Sequence, residues 1–421
     1  MTEKPEVPPT RIVEANRAQL RFVPLDLEGM LAGDHQARAI WAFVERLDLS
    51  EFHARIQSRE GSPGRPAIDP RILLGLWILA TAEGVGSARE IERLCGEHLA
   101  YQWMCGGVNV NHHTLSDFRN LSSDLLNGLL TQTVAVLIEQ GLVEMKRVAQ
   151  DGMKVRASAG GSSFRTGQRL KELKKIVREQ VETLAKEIES DAGAGARREL
   201  TRRQREAERR EKRIERAIKE MDEVESRKRS NNGKKKTEAR ASTTDPSARV
   251  MKMADGGFRP AYNVHLMTLT GRRVVVGVEV NNEGTDLHAM VPLAEQIKKR
   301  FKVGPSECLA DGGCSSLSNI DEMSKRGCNV YSPLRPRRNA AHQLHEPRPT
   351  DTDAIREWRA RMTSDTGKQI YKERGSTAEW VNAQFREHGL TRFLVRGVNK
   401  VLSVVLMHAI TNNMRRSLAL A

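Results

Sequence analysis

Residues 143–158 read VEMKRVAQDGMKVRAS. The stretch has the makings of a β-strand, yet Asp151 sits in its middle. Aspartate is depleted in strands. Its charge inside a sheet is costly unless a partner or a metal ion takes it up. What meets that carboxylate depends on the elements either side.

Upstream, residues 1–25 read as a flexible arm and residues 26–142 as a compact all-helical domain. DHQARAIWAFVERLDL places Ala37, Ile40, Trp41, Val44 and Leu47 at helical spacing. IDPRILLGLWILATAEGV follows a GSPGRP turn and is apolar almost all round, which predicts a buried helix. Ser87 with Glu90 makes a capping-box pattern, and Thr114 or Ser116 is the expected cap of NHHTLSDFRN. A strongly amphipathic helix should then end near Gly141. GRPAIDPRILLGL and VNVNHHTLSDFRN are candidate helix-turn-helix segments, although an ordinary bundle accounts for the pattern equally well. His112 and His113 are neighbours expected to point apart, so a cap or surface role outweighs metal binding.

Downstream, residues 166–245 change character. Leu170, Leu173, Val177, Val181, Leu184 and Ile188 form a heptad seam, and Leu200, Ala207, Ile214 and Met221 recur every seven residues. These spacings predict two long helices folded back as a hairpin, followed by a basic loop containing Lys234, Lys235 and Lys236. The positive charge suits DNA-backbone contact as well as solvated helix faces. The seam is satisfied equally by packing within the chain or between subunits.

After the hairpin the period drops to two. FRPAYNVHLMTLT and GRRVVVGVEVNN read as strands joined by a tight turn at Gly271. TDLHAMVPLAEQIKKRF reads as a helix starting near Thr285 or Asp286, SECLADGG as a short strand ending at Asp311, LSNIDEMSKRG as a helix and CNVYSPL as a strand. The rest, from about residue 351, reads as helical.

With the hairpin set aside, the chain predicts an α/β fold with three antiparallel strands, then two parallel ones alternating with helices. That is the order of an RNase H-like mixed sheet, here with an all-helical N-terminal domain and an inserted helical hairpin. In such a sheet the middle of the first strand lies beside the end of the fourth, so Asp151 and Asp311 should meet. Two carboxylates so close repel, and a divalent cation resolves the conflict. Oxygen ligands without cysteine or histidine companions suit Mg²⁺ or Mn²⁺.

The formal net charge is +15 over 421 residues, an excess that points to a polyanionic partner, most often nucleic acid. Five cysteines without a C-x-x-C pair argue against a disulfide framework or zinc knuckle. No signal peptide or long apolar run is evident, and a cytoplasmic, nucleoid-associated protein is the expectation.

YKERGSTAEWVNAQFR supplies Tyr371, Arg374 and Glu379. Here the sequence resembles bacterial insertion-sequence transposases of the DDE type, a subset of which carries a Y-x-x-R-…-E signature. GRPAIDPRILLGLWILATAEGVGSAREIERLCGEHLAYQWMCGG resembles the helical N-terminal domain of that group, while STTDPSARVMKMADGGFRPAYNVHL and HGLTRFLVRGVNKV resemble its core segments. The resemblance implies an RNase H-like catalytic domain over 143–421 and a DNA-binding domain over 26–142. It implies a triad of Asp151, Asp311 and Glu379 holding two Mg²⁺ or Mn²⁺ ions. Tyr371 and Arg374 would accompany the triad, with Arg374 on a phosphate. Arg386 stands where related signatures have lysine. Double-stranded DNA, as inverted-repeat ends and as target, would be the partner, handled by a homodimer or larger synaptic complex. Glu373 is the competing acid on the same segment. Two other readings share the pattern: a structure-specific nuclease with the same core that cuts without joining, and an inactive DNA-binding derivative.

Overall fold

The computed structural model describes residues 26–59, 61, 66–120, 123–190, 194–230, 238–333 and 346–420. The arm expected over 1–25 and the lysines at 234–236 lie outside these residues.

The N-terminal region is helical: α1 (Leu27–Met30), α2 (Gln36–Glu45), α3 (Ser50–Ala54), α4 (Pro70–Ala82), α5 (Ala88–Glu97), α6 (Leu99–Cys105), α7 (His112–Asn120) and α8 (Ser123–Glu139). Helix α4 starts where Pro70 supplies a ready helical φ and the Asp69 side chain accepts from the Arg71 N–H. It is buried from Leu73 to Thr81, so its apolar face cannot read DNA. Ser87 caps α5 by accepting from Glu90 N. The cap of α7 is neither Thr114 nor Ser116 but Asn111, whose Oδ1 accepts from Thr114 N at 2.9 Å. Asparagine at that site presents its oxygen one turn earlier than the hydroxyls do. The rings of His112 and His113 do not diverge; their centroids are 4.1 Å apart, and His112 Nδ1 bonds Glu92 Oε2 at 2.6 Å.

Strand β1 (Arg147–Arg156) follows, then β2 (Phe164–Thr166), α9 (Gly167–Ser190), α10 (Ala194–Ser230) and β3 (Arg240–Ser242). Strands β2 and β3 pair antiparallel and close the base of the hairpin. Lys174 bonds Glu215 at 3.0 Å and Gly167 lies against Met221, so α9 and α10 run antiparallel. Leu170, Val177, Ile214, Ala217 and Met221 form a small separate core between them. The heptad seam is thus satisfied within one chain.

The main sheet adds β4 (Arg249–Lys252), β5 (Phe258–Leu269), β6 (Val275–Asn281), β7 (Glu307–Ala310) and β8 (Asn329–Tyr331). Its spatial order is β6-β5-β1-β7-β8, with β4 short on the outer edge of β5. Strands β6, β5 and β1 are antiparallel; β7 and β8 join β1 in parallel. Both faces are apolar. Tyr262, Val264 and Leu266 face one core, and Met267 and Leu269 the other. One core joins that face to α2, α4, α7 and the C-terminal helices; the opposite core holds α11 (Met290–Phe301), α12 (Leu317–Lys325) and α13 (Asp353–Thr363). The expected break between 142 and 143 therefore does not separate two cores. The chain ends through α14 (Asp365–Arg374), a π-helical turn (Gly375–Glu379), α15 (Trp380–Glu387) and α16 (Val398–Leu420). Asn413 on α16 pairs its amide with both backbone groups of Val275, at 2.8 Å each, and so covers part of the β6 edge. No single helix among the described residues is long and apolar enough to cross a membrane.

Candidate active site

Strand β1 is central because it pairs antiparallel with β5 and parallel with β7. The last register pair with β7 is Gln150 opposite Ala310. Asp151 and Asp311 each come one residue later. The sheet thus sets the two acids side by side at the carboxyl end of β7, where open α/β sheets place their ligand sites.

Asp151 Oδ1 accepts from Gly152 N at 3.0 Å and Oδ2 accepts from Asn382 Nδ2 at 2.9 Å. Burial pushes the Asp151 carboxyl above the usual range; Arg374 and the Gly152 N–H oppose that, while Asp286 and Asp311 add to it. Asp311 is exposed. Glu379, with 61% of its side chain exposed, is held by Arg374 Nη2 at 2.8 Å, and Arg374 Nη1 reaches Asp151 Oδ1 at 3.7 Å. One guanidinium therefore spans the gap between the two acids. The π turn makes this possible. Residues five apart diverge on an α-helix, whereas the i→i+5 geometry of a π turn brings Arg374 and Glu379 to one side.

Tyr371 is half-buried one turn before Arg374, whose guanidinium stands 6.0 Å from its ring. Burial raises the Tyr371 hydroxyl's pKa, and the arginine partly offsets it. Glu373 turns away to Arg147 Nη1, at 2.6 Å, and Arg147 also bonds Glu307 at 2.5 Å. Arg386 is exposed on α15 and makes no side-chain bond to the three acids.

Two polar residues join the site without having been expected there. Asn382 is one, buried with its Oδ1 unpartnered. The other is Asp286, expected to open a helix. That helix begins instead at Met290, and Asp286 stays in the preceding loop, where Oδ1 accepts from Asn263 Nδ2 at 2.7 Å. A Cβ on Gly152 would meet Asp286 Oδ1 at 2.7 Å, so only glycine fits between the two aspartates. The buried Cys314 thiol, raised by its own burial, also feels Asp286, Asp151 and Asp311.

The donor chemistry, carboxylate oxygens and a free amide oxygen, fits a hard divalent cation. Among the described residues no three acidic, histidine or cysteine side chains stand close enough to share an ion. Arg374 takes the place between Asp151 and Glu379.

Two family models match the chain: Transposase domain (DUF772) over residues 25–121 and Transposase DDE domain over residues 236–414. The chain belongs to the DDE transposases of insertion sequences. No curated protein and no solved structure matches it significantly. Asp311 and Glu379 fall within the DDE match, whereas Asp151 precedes it, separated from it by the α9–α10 hairpin. A long insertion after β1 accounts for the gap. Transposases of this family process DNA, which agrees with the charge of +15.

Proposed function

We propose that this transposase binds the inverted-repeat ends of its element and cuts and joins DNA with Asp151, Asp311 and Glu379 on an RNase H-like core. The observation that carries the reading is the β1–β7 register, which sets Asp151 beside Asp311 while Arg374 ties Glu379 to Asp151. The strand order of the sheet agrees with such a core.

Asp151, Asp311 and Glu379 would hold two Mg²⁺ or Mn²⁺ ions. When bound, these supply activation of water or a DNA 3′-hydroxyl and charge stabilisation at the leaving oxygen. The chain's own residues do the positioning. The Gly152 N–H and Asn382 fix the two oxygens of Asp151. Release of Glu379 by Arg374 frees a guanidinium for a scissile-strand phosphate, a bidentate match that lysine lacks. Tyr371 packs under that guanidinium. Arg386 and Lys234, Lys235 and Lys236 add phosphate contacts, and the helical region 26–142 supplies recognition of the ends. Because its core is continuous with the sheet, it presents DNA at a fixed angle to the acids. A homodimer or larger assembly would hold two ends together, in the cytoplasm on the nucleoid.

The test is Asp151→Asn in a strand-transfer assay with labelled 3′-ends and Mg²⁺. Loss of both cutting and joining, with end binding retained, is expected. Cutting without joining by the unmodified protein marks it as a nuclease. Unchanged processing by the variant removes Asp151 from the chemistry.

A further inference from the structure

The β5–β6 turn carries Arg272 and Arg273, with Arg273 at φ 59°, a conformation that glycine or asparagine adopts more easily. Its guanidinium stands 4.6 Å from the ring centroid of Trp380, the residue directly after Glu379; that of Arg416, from α16, stands 5.9 Å away. Each is fixed at its Nε by a main-chain carbonyl: Arg273 donates to Ser376 O at 3.0 Å and Arg416 to Arg272 O at 2.8 Å. No carboxylate among the described residues pairs with Arg272, Arg273, Arg415 or Arg416. Burial, then Arg273 and Arg272, depress the pKa of Arg416, so the cluster is self-repelling. Arg93, by contrast, meets both Glu90 and Glu97.

Two guanidiniums fixed at their Nε atoms, with exposed Arg272 near enough to repel Arg416 and none of the three paired with a carboxylate, match a polyanion supplied from outside. A ring already carrying two guanidiniums offers little face for base stacking. The open Nη groups therefore suit phosphate oxygens. We propose that Arg273 and Arg416, both against Trp380, together with neighbouring exposed Arg272, form a second phosphate-binding patch that grips the DNA backbone beside Glu379. The proposal rests on the transposase reading for its partner, and on the cluster alone for its place.

The test measures duplex binding against salt with EDTA present, so that no cutting occurs. Two probes are used, a duplex from the element's own terminus and one of random sequence. Arg272 is exposed and makes no side-chain bond, so Arg272→Gln leaves the fold intact; Arg416→Gln is the second variant. Each should weaken binding and lower the log–log salt slope by about one. Loss on the terminal duplex alone assigns the patch to the transposon end, and loss on both assigns it to DNA backbones in general. Lys252→Gln, at the opposite end of β5, is the control for charge alone. With EDTA present the binding readout does not depend on the catalytic assignment, which the strand-transfer assay on Asp151→Asn tests separately. Unchanged slopes on both probes for both arginine variants, or an equal drop for Lys252→Gln, overturn the proposal.

Discussion

Replacing Gly152 by alanine tests how tightly the acids are packed. In an ordinary strand this change favours folding by about 0.4–1 kcal/mol, because the unfolded chain loses freedom. Here the new Cβ would sit 2.7 Å from Asp286 Oδ1, 3.0 Å from Asp286 Cγ and 3.1 Å from His265 Nδ1, where normal contact begins at 3.4 Å. Neither neighbour yields freely. His265 is 0% exposed, and Asp286 is tied to Asn263. Overpacking of this kind costs about 1–3 kcal/mol, so a net loss of about 1–2 kcal/mol is expected. It should appear as a lower urea midpoint at unchanged slope. Asp286→Ala removes the obstacle, and the double variant should recover most of the loss, giving a coupling of about 1–2 kcal/mol. DNA cutting should fall in Gly152→Ala too, because the Gly152 N–H orients Asp151. A Gly152→Ala protein as stable as the parent, or a coupling near zero, would show that Asp286 does not press on β1.

Two further outcomes follow from buried charge. Burial, with a contribution from His388, holds His408 at about 3, against an ordinary 6.5. The unfolded chain therefore takes up a proton between those values while the folded one does not. The stability is fully present above about pH 6.5 and is lost as pH falls towards 3. Between about pH 7 and pH 5, wild type should lose roughly 2 kcal/mol more than His408→Phe. Equal losses by urea titration would contradict this. Arg147→Met strands Glu307, whose side chain is only 16% exposed, and should cost about 1–3 kcal/mol. Adding Glu307→Gln should restore part of it, and a midpoint unmoved by Arg147→Met would refute the pairing.

Local pattern carried much of this architecture. The heptads of α9 and α10 are read from neighbours a few residues apart and are found; β5 is found as a strand too, buried on both faces from Ala261 to Leu269 rather than alternately. The meeting of Asp151 with Asp311 spans 160 positions, and only the order of elements announced it. What stayed hidden depends on geometry with no sequence period. A threonine and an aspartate before an apolar run resemble a helix start, so the expected place of Asp286 is the first turn of that helix. In fact Ala289 opens α11 without a side-chain cap. The one signal for its true place was Gly152: a glycine inside a buried strand marks close approach by another group. Likewise the π turn is invisible to a 3.6-residue period, although an arginine and a glutamate expected to share one site five residues apart hint at it.

Arg374 offsets the negative charge that the fold gathers around Asp151. Asp151 is half-buried, with two other aspartates near it and its pKa already raised by burial. Left uncompensated, that charge would protonate or open the sheet. Arg374, with only 16% of its side chain exposed, supplies positive charge at 3.7 Å from Asp151 and 2.8 Å from Glu379. It supplies one positive charge at the start of a π turn, a rare helical defect often found at functional sites. On the proposed assignment a divalent ion would offer twice the charge to the same carboxylates and would compete best for Glu379. That residue is 61% exposed and loses little solvation when it changes partner. Asp151, fixed by the Gly152 N–H and Asn382, has no such freedom. The fixed acid and the exposed acid therefore differ because of where the fold buries them, and on the proposed reading the guanidinium that ties them together would be the group to let go.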